Sequence, residues 1–256
     1  MRIAVLADVH GNLPALRAVL AVLDREPVDA IIAAGDVCSG PLIRSSLELL
    51  EARPEPLHWI AGNSERETVA VFDGGEIPDG PAGRAAAWSS GQLDRRWRDA
   101  IAGWPIVVEL DGVCFCHGSP RRDDEILTRG TPDPALAEAL ADVHEPLVIG
   151  GHTHQQLIRR VRDDLVYVNA GSVGLPYEGR SPDAFWILVT DGAAQLRNTT
   201  YDQRAALAEL RASGYPEIDD YLTNSFICPV DPDWITAFFE HTAGRRPHPG
   251  EARPAG

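Results

Sequence analysis

A mixed α and β fold, with helices covering a parallel or mixed sheet, is what this sequence predicts. Three observations carry it. Short β-rich apolar runs alternate with helical patterns through the first sixty residues, and strand–helix–strand order builds helix-covered sheets. From about residue 106 the chain turns mainly to short apolar runs separated by turn residues. Its 256 residues, 44% hydrophobic and 24% charged, have the balance of a globular chain long enough to bury a sizeable core.

Residues 3–7 read as a buried strand. Leu13–Leu23 spaces apolar residues three and four apart, as one helix face requires, with Pro14 in its first turn and Asn12 as N-cap. Residues 29–33 follow as a second strand, 41–50 as a second helix and 57–61 as a third strand. The Gly, Pro and Asp of 73–81 interrupt this alternation. A helical stretch over 84–104 carries Trp88, Trp97 and Trp104, and the region 74–104 is expected to be a helical insertion or partial lid whose tryptophans pack. Strands are then expected at 106–110, Val113–Cys116, 147–149, 157–161, 165–168, 185–189 and 195–199, with Asp111-Gly112 and Asp163-Asp164 as hairpin turns. Helices at 204–211 and 234–241 make a C-terminal extension spanning about 202–241. One domain over 1–243 is expected, followed by a disordered tail at 244–256, where Pro, Gly and Arg dominate.

The formal charge of −15 should repel phosphate backbones and anionic headgroups, which disfavours nucleic acid and membrane surfaces as partners. All 23 basic residues are arginine, and the missing lysine excludes the phosphate-loop lysine, the kinase lysine and Schiff-base chemistry. Cys38, Cys114, Cys116 and Cys228 are too few and scattered for a disulfide scaffold, and no C-x-x-C pair is present. Cys114 and Cys116 share one strand face and are expected to pack. No apolar run approaches the roughly 18–20 residues that span a bilayer, and the N-terminal run is too short for a signal sequence. A cytoplasmic location is the default expectation.

Five apolar runs each end at a residue able to bind a metal: at Asp8-Val-His10, Asp36, Asn63, His117 and His152-Thr-His154. Ligands of helix-covered sheets collect beyond the carboxyl ends of strands, so these seven side chains are expected around one point. Four of the eight histidines fall in these motifs. Imidazole, carboxylate and amide donors together suit manganese, iron or zinc. Seven donors exceed what one ion takes, whereas two divalent ions sharing a carboxylate would use them. Such a pair, about 3.5–4 Å apart, can hold a bridging hydroxide as nucleophile and neutralise a phosphate, which is phosphoester hydrolysis.

Asp8-x-His10, Gly35-Asp36, Gly62-Asn63, His117 and Gly151-His-x-His154, in this order, resemble the calcineurin-like metallophosphoesterase superfamily. Asp8-Val-His-Gly-Asn-Leu-Pro-Ala-Leu16, His117-Gly-Ser-Pro-Arg121 and Asn169-Ala-Gly-Ser-Val-Gly174 look like its bacterial small-phosphoesterase branch, and the likeness covers about residues 1–215. It implies an α+β, four-layer αββα sandwich of two mixed sheets with a dinuclear site between them. Asp8, His10, Asp36 and His154 would hold one metal, and Asp36, Asn63, His117 and His152 the other, with Asp36 bridging. Asn169 and Gly171-Ser172 would support the loop carrying His152 and His154, and Arg121 would reach substrate phosphate.

One position departs from the pattern. The residue after Gly-Asn is usually a histidine that protonates the leaving group or binds phosphate; here it is Ser64, followed by Glu65 as the usual acidic partner. Serine does not titrate near neutrality and cannot act as that general acid. Members carrying cysteine at this place resemble phosphodiesterases, so the resemblance implies a phosphoester hydrolase that prefers diesters. The alternative it allows is a catalytically weak binding or scaffold module, as the same fold serves in the retromer. The sequence leaves the substrate and the oligomeric state open.

Overall fold

The computed structural model describes residues 1–179, 183–227 and 229–250. Strands β1 (Arg2–Leu6), β2 (Ala30–Ala34) and β3 (Leu57–Ile60) run parallel, because the helices α1 (Leu13–Leu23) and α2 (Ile43–Glu51) return the chain between them. Asn12 caps α1 as its position requires, its Oδ1 accepting the Ala15 N–H at 3.1 Å. The chain then forms α3 (Asn63–Phe72), α4 (Pro81–Gln92) and α5 (Arg95–Ile101) before entering β4 (Val107–Leu110) and β5 (Val113–Cys116). The β4–β5 turn places Asp111 at φ 53° and Gly112 at φ 73°, a left-handed pair that matches the twist of a two-residue hairpin.

After α6 (Asp133–Ala139) come β6 (Leu147–Gly150), β7 (Gln156–Arg162), β8 (Leu165–Ala170), β9 (Ala184–Thr190) and β10 (Ala193–Thr199). Two five-stranded sheets result, in the orders β10-β9-β1-β2-β3 and β4-β5-β6-β8-β7. Both are mixed: β9 and β10 are antiparallel additions to the first, and β4 and β7 edge the second antiparallel.

Alternate residues of the central strands point to opposite faces, and each face is covered. Ile3, Val5 and Ile32 meet Phe115, Ile149 and Val168 between the sheets. Leu6 and Ile31 pack outward on Leu16, Leu20 and Leu47 of α1 and α2, while Cys116, Val148 and Tyr167 pack outward near Leu136 of α6. Burial on both faces is why these strands read as unbroken apolar runs. The α+β sandwich of two mixed sheets expected from the sequence is the architecture found.

The helical region differs from the expectation in two ways. It begins at Asn63 rather than near 74, because Glu65 at the third helical position accepts the Gly62 N–H at 2.8 Å and starts α3 inside a polar stretch. The single stretch at 84–104 is two helices, with Asp94 capping α5 through the Trp97 N–H at 3.0 Å. Trp97 is buried and Trp104 stacks on Trp59 of β3, their centroids 4.4 Å apart, so these tryptophans pack as expected. Cys114 and Cys116 are likewise buried.

The C-terminal part contains α7 (Gln203–Arg211), α8 (Ile218–Leu222) with a following π-helical turn (Thr223–Ile227), and α9 (Pro232–Thr242). Helices α6, of seven residues, and α8, of five, are too short to repeat an amphipathic pattern and left no periodic signal in the sequence. The expected disordered tail requires a correction over 244–250. Arg245 folds back on buried Glu240, with Nε 2.6 Å from Oε2, and donates to the Ile126 carbonyl at 2.8 Å. Residues 251–256 of that tail lie outside the described residues. Among the described residues no helix is long and apolar enough to cross a membrane.

Candidate metal centre

The seven expected residues follow the carboxyl ends of their strands: Asp8 and His10 after β1, Asp36 after β2, Asn63 after β3, His117 after β5, and His152 and His154 after β6. Backbone bonds tie these loops together: Asp8 N–H to Gly35 O at 3.0 Å, His10 N–H to Asp36 O at 2.9 Å and Gly151 N–H to His117 O at 2.7 Å. Five of the residues hold left-handed backbones: Asp8 (φ 55°), His10 (46°), Asp36 (53°), His152 (68°) and His154 (57°). For residues with a Cβ this conformation costs roughly 1 kcal/mol or more each. Such strain persists where surrounding structure imposes it, and here it turns five polar side chains inward together.

The glycines of Gly35-Asp36 and Gly62-Asn63 are explained by crowding. A Cβ at Gly35, itself at φ 84°, would lie 2.5 Å from His117 Nδ1. One at Gly62 would lie 2.8 Å from His117 Cδ2 and closer still to Asp36 Oδ1. Only glycine lets the loops approach this closely.

Two groups of donor atoms result, Asp8 with His10 and His154, and Asp36 with His117 and His152, each with its donor atoms within 4.8 Å of one another. Asp8 Oδ1 lies 3.0 Å from His154 Nε2, 3.7 Å from His10 Nε2 and 3.8 Å from His117 Nε2. Asp36 faces both groups, with Oδ1 3.3 Å from His117 Nε2 and Oδ2 3.7 Å from His10 Nε2. His10 Nε2 and His154 Nε2 stand 3.0 Å apart.

The residues fit a metal on two observations. Asp8 Oδ1, Asn63 Oδ1 and His117 Nε2 are buried without a hydrogen-bond partner, a costly state that a cation would relieve. His117 Nδ1 donates to the Ala34 carbonyl at 2.8 Å and His154 Nδ1 to the Leu175 carbonyl at 2.7 Å. Those bonds place the proton on Nδ1 and leave Nε2 free to coordinate.

The charges are strongly coupled. Burial alone would raise the Asp8 and Asp36 carboxyls, but the facing histidines outweigh it and hold both below the usual carboxylate range. Burial would lower His117, yet Asp36 and Asp8 push it up to about 10. His152, where burial is joined by repulsion from His117, falls to about 4.

Asn169 and Ser172 brace the loops. Asn169 Nδ2 donates to Gly151 O and to Thr153 Oγ1, the latter at 3.1 Å, and Ser172 Oγ donates to Asp8 O at 2.7 Å. Ser64 is buried, its N–H bonds Asp36 Oδ1 at 2.9 Å, and its Oγ has no hydrogen-bond partner.

Two expectations are corrected. Glu65 is a backbone clamp rather than an acidic partner of side chain 64: its carboxylate accepts the N–H groups of Gly62 and Asp36 at 2.8 Å, Val37 at 2.9 Å and Cys38 at 2.8 Å. Arg121 does not reach the centre. It pairs with Glu125, Nε to Oε2 at 2.9 Å, and lines a cavity beside Cys114 on the outer side of the second sheet. Arg122, rather than Arg121, lines the cavity that also contains His152.

Sequence reasoning missed three neighbours of the centre: Arg122, Tyr177 and Glu67. Tyr177 stacks on His154 at 4.8 Å. Glu67 shares a small cavity with His10, Asp36, Asn63 and Ser64. Its position four after Asn63 is a signal only once α3 is known to be a helix.

A family model for the calcineurin-like phosphoesterase superfamily domain matches residues 1–192. The fold is similar to a metallophosphoesterase from Sphaerobacter thermophilus, 26% identical, covering 85% of this chain and 96% of that one with a TM-score of 0.68. A hypothetical protein from Pyrococcus horikoshii OT3 shares the fold at a TM-score of 0.75 with 20% identity, over 88% of this chain and 97% of that one. In sequence the chain is 25% identical over 171 residues to a phosphodiesterase of Methanocaldococcus jannaschii, covering 67% of this chain and 83% of the relative. With a family match over three quarters of its length, the chain belongs to the calcineurin-like phosphoesterase superfamily and is a metal-dependent phosphoesterase.

Proposed function

We propose that this phosphoesterase hydrolyses phosphodiesters in preference to monoesters at a dinuclear centre. Asp8, His10, Asp36 and His154 hold one divalent cation, and Asp36, Asn63, His117 and His152 the other. The observation that carries this reading is Asp36, whose two oxygens face histidines of different groups. Manganese, iron or zinc suits the mixed donors. Bound there, the two cations supply charge neutralisation for phosphate and activation of water as the nucleophile.

The chain's own residues account for the diester preference. The small cavity beside Asp36, about 150 Å³, is lined by Ser64 and Glu67 and, among the described residues, by no arginine. There the Glu67 carboxylate opposes the second charge of a monoester dianion and no arginine of the lining offsets it, whereas a diester brings one charge fewer. Ser64 moves no proton near neutrality, so esters with acidic leaving groups are favoured. The charge of −15 points to a small phosphodiester rather than a nucleic acid. Free, buried Cys38, Cys114 and Cys116 accord with a reducing, cytoplasmic setting.

Metal analysis of the purified protein, with hydrolysis of bis(p-nitrophenyl) phosphate and p-nitrophenyl phosphate under added manganese, tests this. Two metals per chain and faster diester hydrolysis are expected. Faster monoester hydrolysis overturns the substrate preference, a single metal overturns the dinuclear centre, and no turnover with any divalent ion leaves a binding module.

A further inference from the structure

On the side of the centre marked by His152 opens a cavity of about 640 Å³, within the range of sites that hold small organic molecules and more than a phosphate fills. The small cavity by Ser64, at about 150 Å³, offers no comparable room. Much of the larger wall is Phe238, Phe239 and Thr242 of α9. These residues lie beyond the family-model match, which ends at residue 192.

Phe238 and Phe239 make one side of the wall aromatic, and the charges of Arg122 and Arg245 are balanced by those of Asp124 and Glu125 in the rest of it. Phe238 and Phe239 are half-buried. Phe238 stacks on Trp234 with centroids 5.2 Å apart, and Phe239 lies 6.2 Å from Tyr177, which itself stacks on His154. Both arginines of the lining are already paired, Arg122 with Asp124 at 2.9 Å and Arg245 with Glu240 at 2.6 Å. A second phosphate would find no free cation there, whereas a planar ring would find exposed aromatic surface.

We propose that this cavity receives an aromatic group of the phosphodiester, a nucleobase or simple aryl ring, packed against Phe238 and Phe239 while the phosphate meets the centre at His152. The assignment rests on the phosphodiesterase reading above and adds the class of organic group. Base–aromatic stacking of the usual strength would give such esters a roughly 10-fold advantage or more over alkyl esters.

Three esters with one leaving group test it on the manganese-loaded full chain: methyl, phenyl and thymidine 5′ p-nitrophenyl phosphates. Calorimetric titration with methyl phosphate, phenyl phosphate and thymidine 5′-monophosphate provides a readout independent of turnover. The phenyl and thymidine compounds are expected to exceed the methyl ones by about 10-fold or more in kcat/KM and in affinity. In Phe238→Ala, and in Thr242→Trp, which fills the cavity, those ratios should fall toward one. A variant that merely folds less well lowers all esters alike and keeps the ratios, an outcome that overturns the proposal. So does equal handling of the three groups by the natural enzyme, which leaves the phosphodiesterase reading intact. Absence of turnover for every ester overturns that reading instead, and the calorimetric ratios then decide the cavity by themselves. A thymidine advantage over phenyl identifies a nucleoside ester; equality identifies an aryl ring as sufficient; both support the assignment.

Discussion

Tyr177 lies face to face with His154, ring centroids 4.8 Å apart and planes 18° from parallel. Its backbone N–H also donates to the His154 carbonyl at 3.1 Å. Gln155 joins the same assembly, donating to Tyr177 O at 3.2 Å and accepting from Thr236 Oγ1 of α9 at 2.8 Å. The imidazole is therefore held from its flat side as well as through Nδ1. Residues that orient a metal-binding histidine typically contribute about 10–100-fold to affinity or activity. Tyr177→Ala should weaken binding of the cation shared by Asp8, His10 and His154 by about 10-fold or more, whereas Tyr177→Phe should retain it. Metal titration of both variants measures this, and natural affinity in Tyr177→Ala would rule out the positioning role.

Asp36 turns one carboxylate oxygen to each donor group, Oδ2 to His10 and Oδ1 to His117. Asp36→Asn should weaken both metals and abolish turnover, while His10→Ala should chiefly affect one. Metal content and hydrolysis rates of the two variants distinguish the cases. Two retained metals and near-normal activity in Asp36→Asn would be incompatible with a shared ligand.

Ser64 leaves the departing oxygen without a positioned imidazole. Rates on a series of aryl and alkyl phosphodiesters should therefore fall steeply with rising leaving-group pKa. Positioned proton transfer contributes about 10²–10⁴-fold, so Ser64→His should flatten the dependence and help alkyl esters most. Glu65 is committed to four backbone N–H groups, and Glu67, which lines the same cavity as Ser64, is the carboxylate open to orient a new imidazole. A flat dependence in the natural enzyme, in a step limited by chemistry, would mean that another acid already serves.

Glu240 is fully buried and accepts from Thr128 Oγ1 at 2.5 Å, Thr131 Oγ1 at 2.8 Å and both Arg245 Nε at 2.6 Å and Nη2 at 2.9 Å. Burial alone would raise its carboxyl, but Arg245 and the two hydroxyls outweigh it and hold it below its ordinary value of 4.5. A depressed folded value stabilises the fold above the unfolded value, and that contribution is lost as pH falls through the folded one. Arg245→Met should thus destabilise by about 2 kcal/mol at neutral pH, with the gap to the natural protein narrowing below about pH 4. Urea unfolding at both pH values checks the sign; a gap independent of pH would show that the ion pair is not its source.

The strand ends were legible because every central strand is buried on both faces, so each apolar run stops where the chain leaves the core and polar atoms begin. Asp8, His10, Asp36, His117, His152 and His154 could be named on that ground, and Asn63 from the Gly-Asn that follows the half-buried edge strand β3. Helix α3 was not legible, since Asn63-Ser-Glu-Arg-Glu67 has no apolar face and the helix starts through the bond from Gly62 to Glu65. Glu67 was hidden with it.

Arg121 and Arg122 show where local reading stops. They are adjacent in one turn, closed by the Ser119 N–H on the Arg122 carbonyl at 2.8 Å, yet one lines the cavity beside Cys114 and the other the cavity beside His152. Composition and spacing determined the sheet, the donor atoms and the strand ends that carry them. Only the tertiary structure decided which neighbour faces the centre, that Glu65 clamps the Asp36 loop, and that α9 walls the cavity beside His152. Those outcomes depend on backbone dihedrals and on bonds between segments more than a hundred residues apart, such as Thr128 to Glu240, and no local pattern encodes them.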